Sequence, residues 1–170
     1  DMLRKRRDIV RRLQAEGVFD LQKGLRLSLF AQRIAVISSE TAAGYGDFCS
    51  QLETNEYGFR FRVEIFPAVM QGEQVEQSII AALDSINERE SEFDAVVIIR
   101  GGGATADLSG FDTLELAENV ANFPLPVITG IGHERDESVL DMVSFLRVKT
   151  PTAAAAFLID QLSVTLGRIE

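Results

Sequence analysis

Short apolar runs alternate along this chain with longer stretches in which apolar residues recur every three or four positions. Ile34-Ala35-Val36-Ile37 and Ala95-Val96-Val97-Ile98-Ile99 are apolar without interruption, as strands buried on both faces are. The second is predicted to lie centrally in a parallel sheet. Phe61-Arg62-Val63-Glu64-Ile65-Phe66 alternates apolar and polar residues, which predicts a strand with one wetter face or an edge position. Val127-Ile128-Thr129, after Pro126, is a shorter fourth strand. Val75, Ile79, Ile80, Leu83 and Ile86 share one face of a helix predicted over 73–89, and Leu114, Leu116, Ala117 and Val120 mark another over about 112–122. Helices are also predicted over 47–55, 137–146 and, starting from Pro151, 151–169.

Strands alternating with helices imply βαβ units with right-handed crossovers. The fold class is therefore α/β: a Rossmann-like, mostly parallel sheet of at least four strands flanked by helices. A basic helix at about 2–15 leads a segment, 1–33, that reads as an arm or linker. The α/β body is expected over 34–150 and a C-terminal helix over 151–170.

Charge sharpens that division. The 170 residues carry a formal net charge of −9, which taken whole argues against a nucleic-acid binder. The first 33 residues, however, are +5 and the remaining 137 are −14. The Arg4-Lys5-Arg6-Arg7 and Arg11-Arg12 cluster reads either as a solvated helix face or as a track for a phosphate backbone. Cys49 is the only cysteine and His133 the only histidine. That removes internal disulfides, cysteine-rich zinc sites and any metal site needing two imidazoles. No apolar run approaches the roughly 20 residues that span a bilayer, no signal peptide is visible, and a reducing cytoplasmic location is expected. The chain starts at Asp and ends mid-pattern at Arg168-Ile169-Glu170, as a piece of a longer protein would.

Ligands of open parallel sheets bind outside the C-terminal ends of the strands, and the small, polar and charged residues of this chain concentrate there. Arg100-Gly101-Gly102-Gly103 directly follows the third strand. Bare glycine backbone can turn successive N–H groups toward an anion, and the forked Arg100 guanidinium suits a phosphate. The other reading is a tight strand-to-helix turn. Gly130-Ile131-Gly132-His133-Glu134-Arg135-Asp136 follows the fourth strand. His133 titrates near neutral pH unaided, and Asp136 or Glu134 could orient its ring for acid or base work; alternatively it caps a helix beginning near 137. Asp47 reads as a first-turn helix cap or as a carboxylate near the phosphate. Asp47, Asp107 and Asp136 together form an oxygen-ligand set for Mg²⁺. Thr150-Pro151-Thr152 reads as a helix start whose free N–H groups could also meet an anion.

These motifs, in this order and spacing, resemble the large subunit of exonuclease VII. The resemblance rests on Arg100-Gly101-Gly102-Gly103 with Asp107-Leu108 and Phe111, on Gly132-His133-Glu134 with Asp136, and on Thr150-Pro151-Thr152-Ala153-Ala154-Ala155. Glu16-Gly17-Val18-Phe19-Asp20, Ile34 to Ser39, and Pro67 with Gln71-Gly72 agree as well. It implies an exodeoxyribonuclease that hydrolyses phosphodiester bonds of single-stranded DNA from both ends to short oligonucleotides. It implies catalytic roles for Asp47, Arg100, His133 and Asp136. Beside it, the residues themselves point to phosphate or DNA binding by Gly101, Gly102, Gly103 and Thr150, and by Arg135, whose positive charge could hold a second phosphate. No cofactor is expected to be required, with Mg²⁺ as the option. It further implies an OB-fold before this domain and a helical region after it, begun by 151–170, that binds several copies of a small subunit. Departures from the family pattern are Ala104, Ala106, Ser109, Arg135 and Ala156. With the OB-fold and most of the helical region missing, the isolated domain is expected to be weakly active or inactive. Two other classes stay open on sequence: a non-catalytic nucleotide- or phosphate-binding module, and a scaffold domain with a vestigial rim.

Overall fold

The computed structural model describes residues 2–39, 43–100, 108–132 and 137–169. Five strands form one sheet: β1 (Arg33–Ser38), β2 (Arg62–Pro67), β3 (Ala95–Ile99), β4 (Val127–Gly130) and β5 (Leu146–Arg147). All pairings are parallel, in the order β2-β1-β3-β4-β5. This is a doubly wound order, in which the chain leaves β1 to one side and returns to add β3 on the other. The crevice at such a reversal, between the C-terminal ends of β1 and β3, is where ligands of these sheets bind.

The apolar runs sit where their patterns predict. β3 is central and fully buried, and β2, with its alternating sequence, is the half-buried edge. Helices α1 (Met2–Glu16), α3 (Val75–Asn87), α4 (Leu114–Ala121) and α5 (Val139–Val143) enclose one core, containing Ile37, Val96, Ile98, Leu116 and Leu140. Helices α2 (Ala43–Glu53) and α6 (Pro151–Ile169) enclose the other, containing Ile34, Val36, Val97 and Ile128. Ala154 and Ala155 are buried there, and their small side chains let α6 lie close to the sheet and to α2.

Two local expectations are corrected. The helix predicted over 137–146 is only Val139–Val143, because Ser144 turns the chain to an extended conformation. Phe145 N–H then donates to Val127 O at 2.9 Å and Val148 N–H to Thr129 O at 2.8 Å, adding a fifth strand that the pattern does not reveal. The helix predicted over 47–55 begins at Ala43, so Asp47 is in its second turn and not in the first.

The basic segment is docked onto the body. Arg6, Ile9 and Leu13 are buried on the inner side of α1, while Arg4, Lys5, Arg7, Arg11 and Arg12 face outward. Arg6 Nε donates to Asp112 Oδ2 at 2.9 Å with both residues buried. Farther on, buried Gln22 donates from Nε2 to Phe123 O and Leu125 O, both at 3.0 Å, and accepts from Val127 N–H at 2.8 Å. Gln22 thereby satisfies backbone groups at the entrance to β4 that the sheet leaves open.

Candidate functional site

The C-terminal ends of the strands are laced together by short contacts. Ser38, the last residue of β1, donates from Oγ to Ile99 O at 2.8 Å and accepts Ala68 N–H on its own carbonyl at 2.9 Å. Arg100 N–H donates to Gly130 O at 3.3 Å. A Cβ on Gly130 would lie 3.2 Å from both Ile99 Cγ2 and Thr150 O, so glycine is what lets the start of α6 approach β4. Gly132 has φ +80°, with the carbonyls of Arg100 and Lys149 each 3.9 Å from where its Cβ would be. The ends of β1, β3 and β4 and the residue before α6 thus meet in one place.

Arg100 stands at the reversal point. It is 4% exposed, with its guanidinium carbon 5.4 Å from the ring centroid of Phe111. A cation over an aromatic face is attracted by the ring quadrupole. Phe111 and Leu108, the two apolar positions of the Asp-Leu…Phe motif, are themselves buried in the core, and Phe111 is the one that lies against the arginine.

The segment following 133–136 is anchored by buried acids. Asp141 Oδ2 accepts from Ser138 N–H and Oγ, both at 3.0 Å, and Ser138 Oγ accepts from Asp141 N–H in return. This is a reciprocal capping box at the start of α5. The N-cap of α5 is therefore Ser138. Asp141 Oδ1 accepts from Thr129 Oγ1 at 2.7 Å, tying α5 to β4. Asp112 Oδ1 accepts from Val139 N–H at 2.8 Å while its other oxygen holds Arg6.

Of the residues singled out by sequence, Arg100 and Thr150 are at this rim. Thr150 Oγ1 accepts from Ala153 N–H at 3.1 Å, so it is the N-cap of α6. Asp47 is exposed in the second turn of α2, flanking the face that buries Gly44, Phe48 and Leu52. Gly101, Gly102, Gly103, Asp107, His133, Arg135 and Asp136 lie outside the described residues. No cluster of three or more His, Cys, Asp or Glu suited to a metal occurs among the described residues. No helix among them is long and apolar enough to cross a membrane. Sequence patterns do not single out Asp112, nor distinguish Arg6 within its basic cluster or Ser38 within its strand-end motif. The Ser-x-x-Asp spacing of residues 138–141 is the one local signal for Asp141.

A family model described as "Exonuclease VII, large subunit" matches residues 18–170. The chain belongs to this family. It is 41% identical over 152 residues to the exodeoxyribonuclease 7 large subunit of Nostoc sp. (strain PCC 7120), covering 89% of this chain and 36% of the relative. The large subunit of Deinococcus radiodurans is 40% identical over 149 residues, covering 86% and 36%. That of Lactobacillus gasseri is 33% identical over 163 residues, covering 96% and 35%. The chain spans about a third of the length of these exonuclease VII relatives. Within the family's motifs, Phe111 supports Arg100 and the paired alanines 154 and 155 seat α6. Ala156, where the motif departs, is exposed.

Proposed function

We propose that this chain is the catalytic domain of an exonuclease VII large subunit. It hydrolyses phosphodiester bonds of single-stranded DNA from both ends to short oligonucleotides. The observation that carries the reading is the placement of Arg100 at the reversal point between β1 and β3, in a chain of this family.

Hydrolysis of a phosphodiester needs three things: stabilisation of charge on the phosphoryl oxygens, activation of water, and a proton for the leaving oxygen. Arg100, with the backbone N–H groups of 101–103, would hold the scissile phosphate and stabilise that charge. Arg135 and the start of α6 at Thr150 would hold the adjoining strand. His133, oriented by Asp136, would take the proton from water or deliver one to the leaving oxygen. Asp47 would position the attacking water. Mg²⁺, where it is used, would neutralise phosphate charge, and Asp47, Asp107 and Asp136 are the carboxylates available to it; no step above depends on it.

The longer protein would bind several copies of the small subunit through the helical region that α6 begins, and would work in the cytoplasm. The test is His133→Ala in the full-length complex. Release of acid-soluble nucleotides should fall by about 10²- to 10⁴-fold; near-normal release overturns the catalytic assignment.

A further inference from the structure

The five-stranded sheet is covered unevenly. Among the described residues, α2 and α6 lie over the face that carries Ile34 and Val36. Between α2 and the entrance to edge strand β2 is a cleft of about 450 Å³, within the size range of small-molecule pockets. Tyr45, Cys49, Leu52 and Glu53 of α2 line one wall; Phe59, Arg60, Phe61 and Val63 line the other. Tyr45 is in the first turn of α2. From Tyr45 to Glu53 the helix descends about 12 Å, so the cleft leads away from the rim.

The sequence beside it, Tyr57-Gly58-Phe59-Arg60-Phe61-Arg62, alternates aromatic residues with glycine or arginine. Tyr57 and Phe59 are stacked, with ring centroids 5.0 Å apart and planes at 15°. Tyr57 is nonetheless 50% exposed, leaving part of an apolar surface open to water. The turn presenting the pair is built rigidly. Asn55 Oδ1 accepts from Tyr57 N–H at 3.1 Å and Phe59 N–H at 2.9 Å, and its Nδ2 donates to Leu52 O at 2.7 Å and Phe59 O at 2.8 Å. Gly58 supplies the left-handed residue, with φ +70°. Gln32 fixes the next stretch, donating from Nε2 to Arg60 O at 2.7 Å and accepting Arg62 N–H at 2.8 Å. Fixed aromatic faces next to exposed arginines are what nucleic-acid single strands bind: bases stack, and phosphates meet cations. Arg60 lines the cleft, whereas Arg62 lies on the opposite face of β2 with Glu64, Arg89 and Glu92. Glu53 on the α2 wall repels phosphate, which directs the backbone toward Arg60. Burial pushes the Cys49 thiol up from its ordinary pKa, against a partly offsetting hydrogen bond with Tyr45, so the cleft holds no ready thiolate.

We propose that the α2–β2 cleft and the Tyr57–Phe59 pair form a second contact for single-stranded DNA. Bases stack on the aromatic rings, and the sugar-phosphate backbone passes Arg60. The proposal rests on the nuclease reading above. It gives this domain its own grip on the strand, separate from the rim.

The test uses the full-length large subunit with its small subunit. Wild-type turnover of oligo-dT tests the nuclease reading on its own. Binding of fluorescein-labelled oligo-dT is then measured in the His133→Ala background, with and without Tyr57→Ala or Arg60→Ala. Both side chains are exposed, and thermal melting checks the fold. Tyr57→Ala should weaken binding about 5- to 150-fold, the range for loss of one stacked base. Arg60→Ala should reduce the slope of log Kd against log salt by about 0.7. Light-induced cross-linking of 5-iodouracil oligonucleotides should reach Tyr57. If the wild type degrades the strand but both variants bind it with unchanged affinity and slope, this inference fails and the nuclease reading stands. If the variants change only subunit assembly in sedimentation velocity, the cleft is a protein interface and the inference is overturned. Wild type that neither binds nor degrades the strand removes both.

Discussion

Ser38 Oγ donates a 2.8 Å hydrogen bond to the carbonyl oxygen of Ile99, joining the last residues of β1 and β3 where the sheet order reverses. Backbone pairing between the two strands runs from Ile34–Ala95 to Ile37–Ile98. Ser38 carries the connection one step farther, to the residue before Arg100. Ser38→Ala leaves a buried carbonyl without this donor and should cost about 1–3 kcal/mol, read as a lower urea midpoint with unchanged m-value.

Arg100 is the test of the rim. Arg100→Ala in the full-length complex should lower kcat/KM by about 10²- to 10³-fold, the usual cost of removing one group that stabilises transition-state charge. Arg100→Lys keeps the charge but not the planar fork that matches a phosphate, and should recover only part of the loss. A single-turnover assay on labelled oligo-dT separates this from a binding defect.

The Arg6–Asp112 pair should behave as a buried ion pair. The two residues are 4% and 0% exposed, and Asp112 also receives Val139 N–H. Replacing either partner singly strands the other charge in the interior, at about 3–5 kcal/mol. Arg6→Ala and Asp112→Ala should therefore both strongly lower the chemical-denaturation midpoint, whereas Arg11→Ala, on the exposed side of α1, should leave it nearly unchanged.

Gly132 has room for a Cβ but not the right backbone. Its φ of +80° is the left-handed region, so Gly132→Ala should cost roughly 1–2 kcal/mol, and Gly132→Asn less. Thermal melting of the two variants gives the order.

Acid should loosen the β2 edge. Arg89 forms ion pairs with Glu64 and Glu92, and hydrogen bonds from its guanidinium hold both carboxyls below their ordinary range. A depressed carboxyl contributes stability above its unfolded value, about 4.3 for Glu, and loses it as pH falls through the folded value. Wild type should therefore lose stability more steeply below about pH 4.3 than Glu64→Gln, in urea titrations across that window. Both acids are solvent-exposed, so the difference should be small and should shrink with added salt.

The strands and long helices were legible because local pattern and tertiary burial agree. An apolar pentad such as 95–99 has nowhere to go but the centre of a sheet, and the alternating 61–66 stretch suits an edge. Two residues are too few for a pattern, so Leu146–Arg147 becomes a strand only because Val127 and Thr129 offer unpaired carbonyls beside it. Asp47 was misplaced by a turn because helix ends are weakly encoded in local sequence.

The sequence by itself determined the α/β class, the family and the location of polar motifs at the ends of strands. Periodicity and motif spacing are local properties, and they survive without knowledge of packing. Only the tertiary structure decided that Ser38 meets Ile99, that Arg6 meets Asp112 across 106 positions, and that Phe111 lies beneath Arg100. Each of these contacts joins residues brought together by the parallel crossovers. Its energy comes from burying a polar or charged group beside its partner, and no local pattern encodes which partner that is.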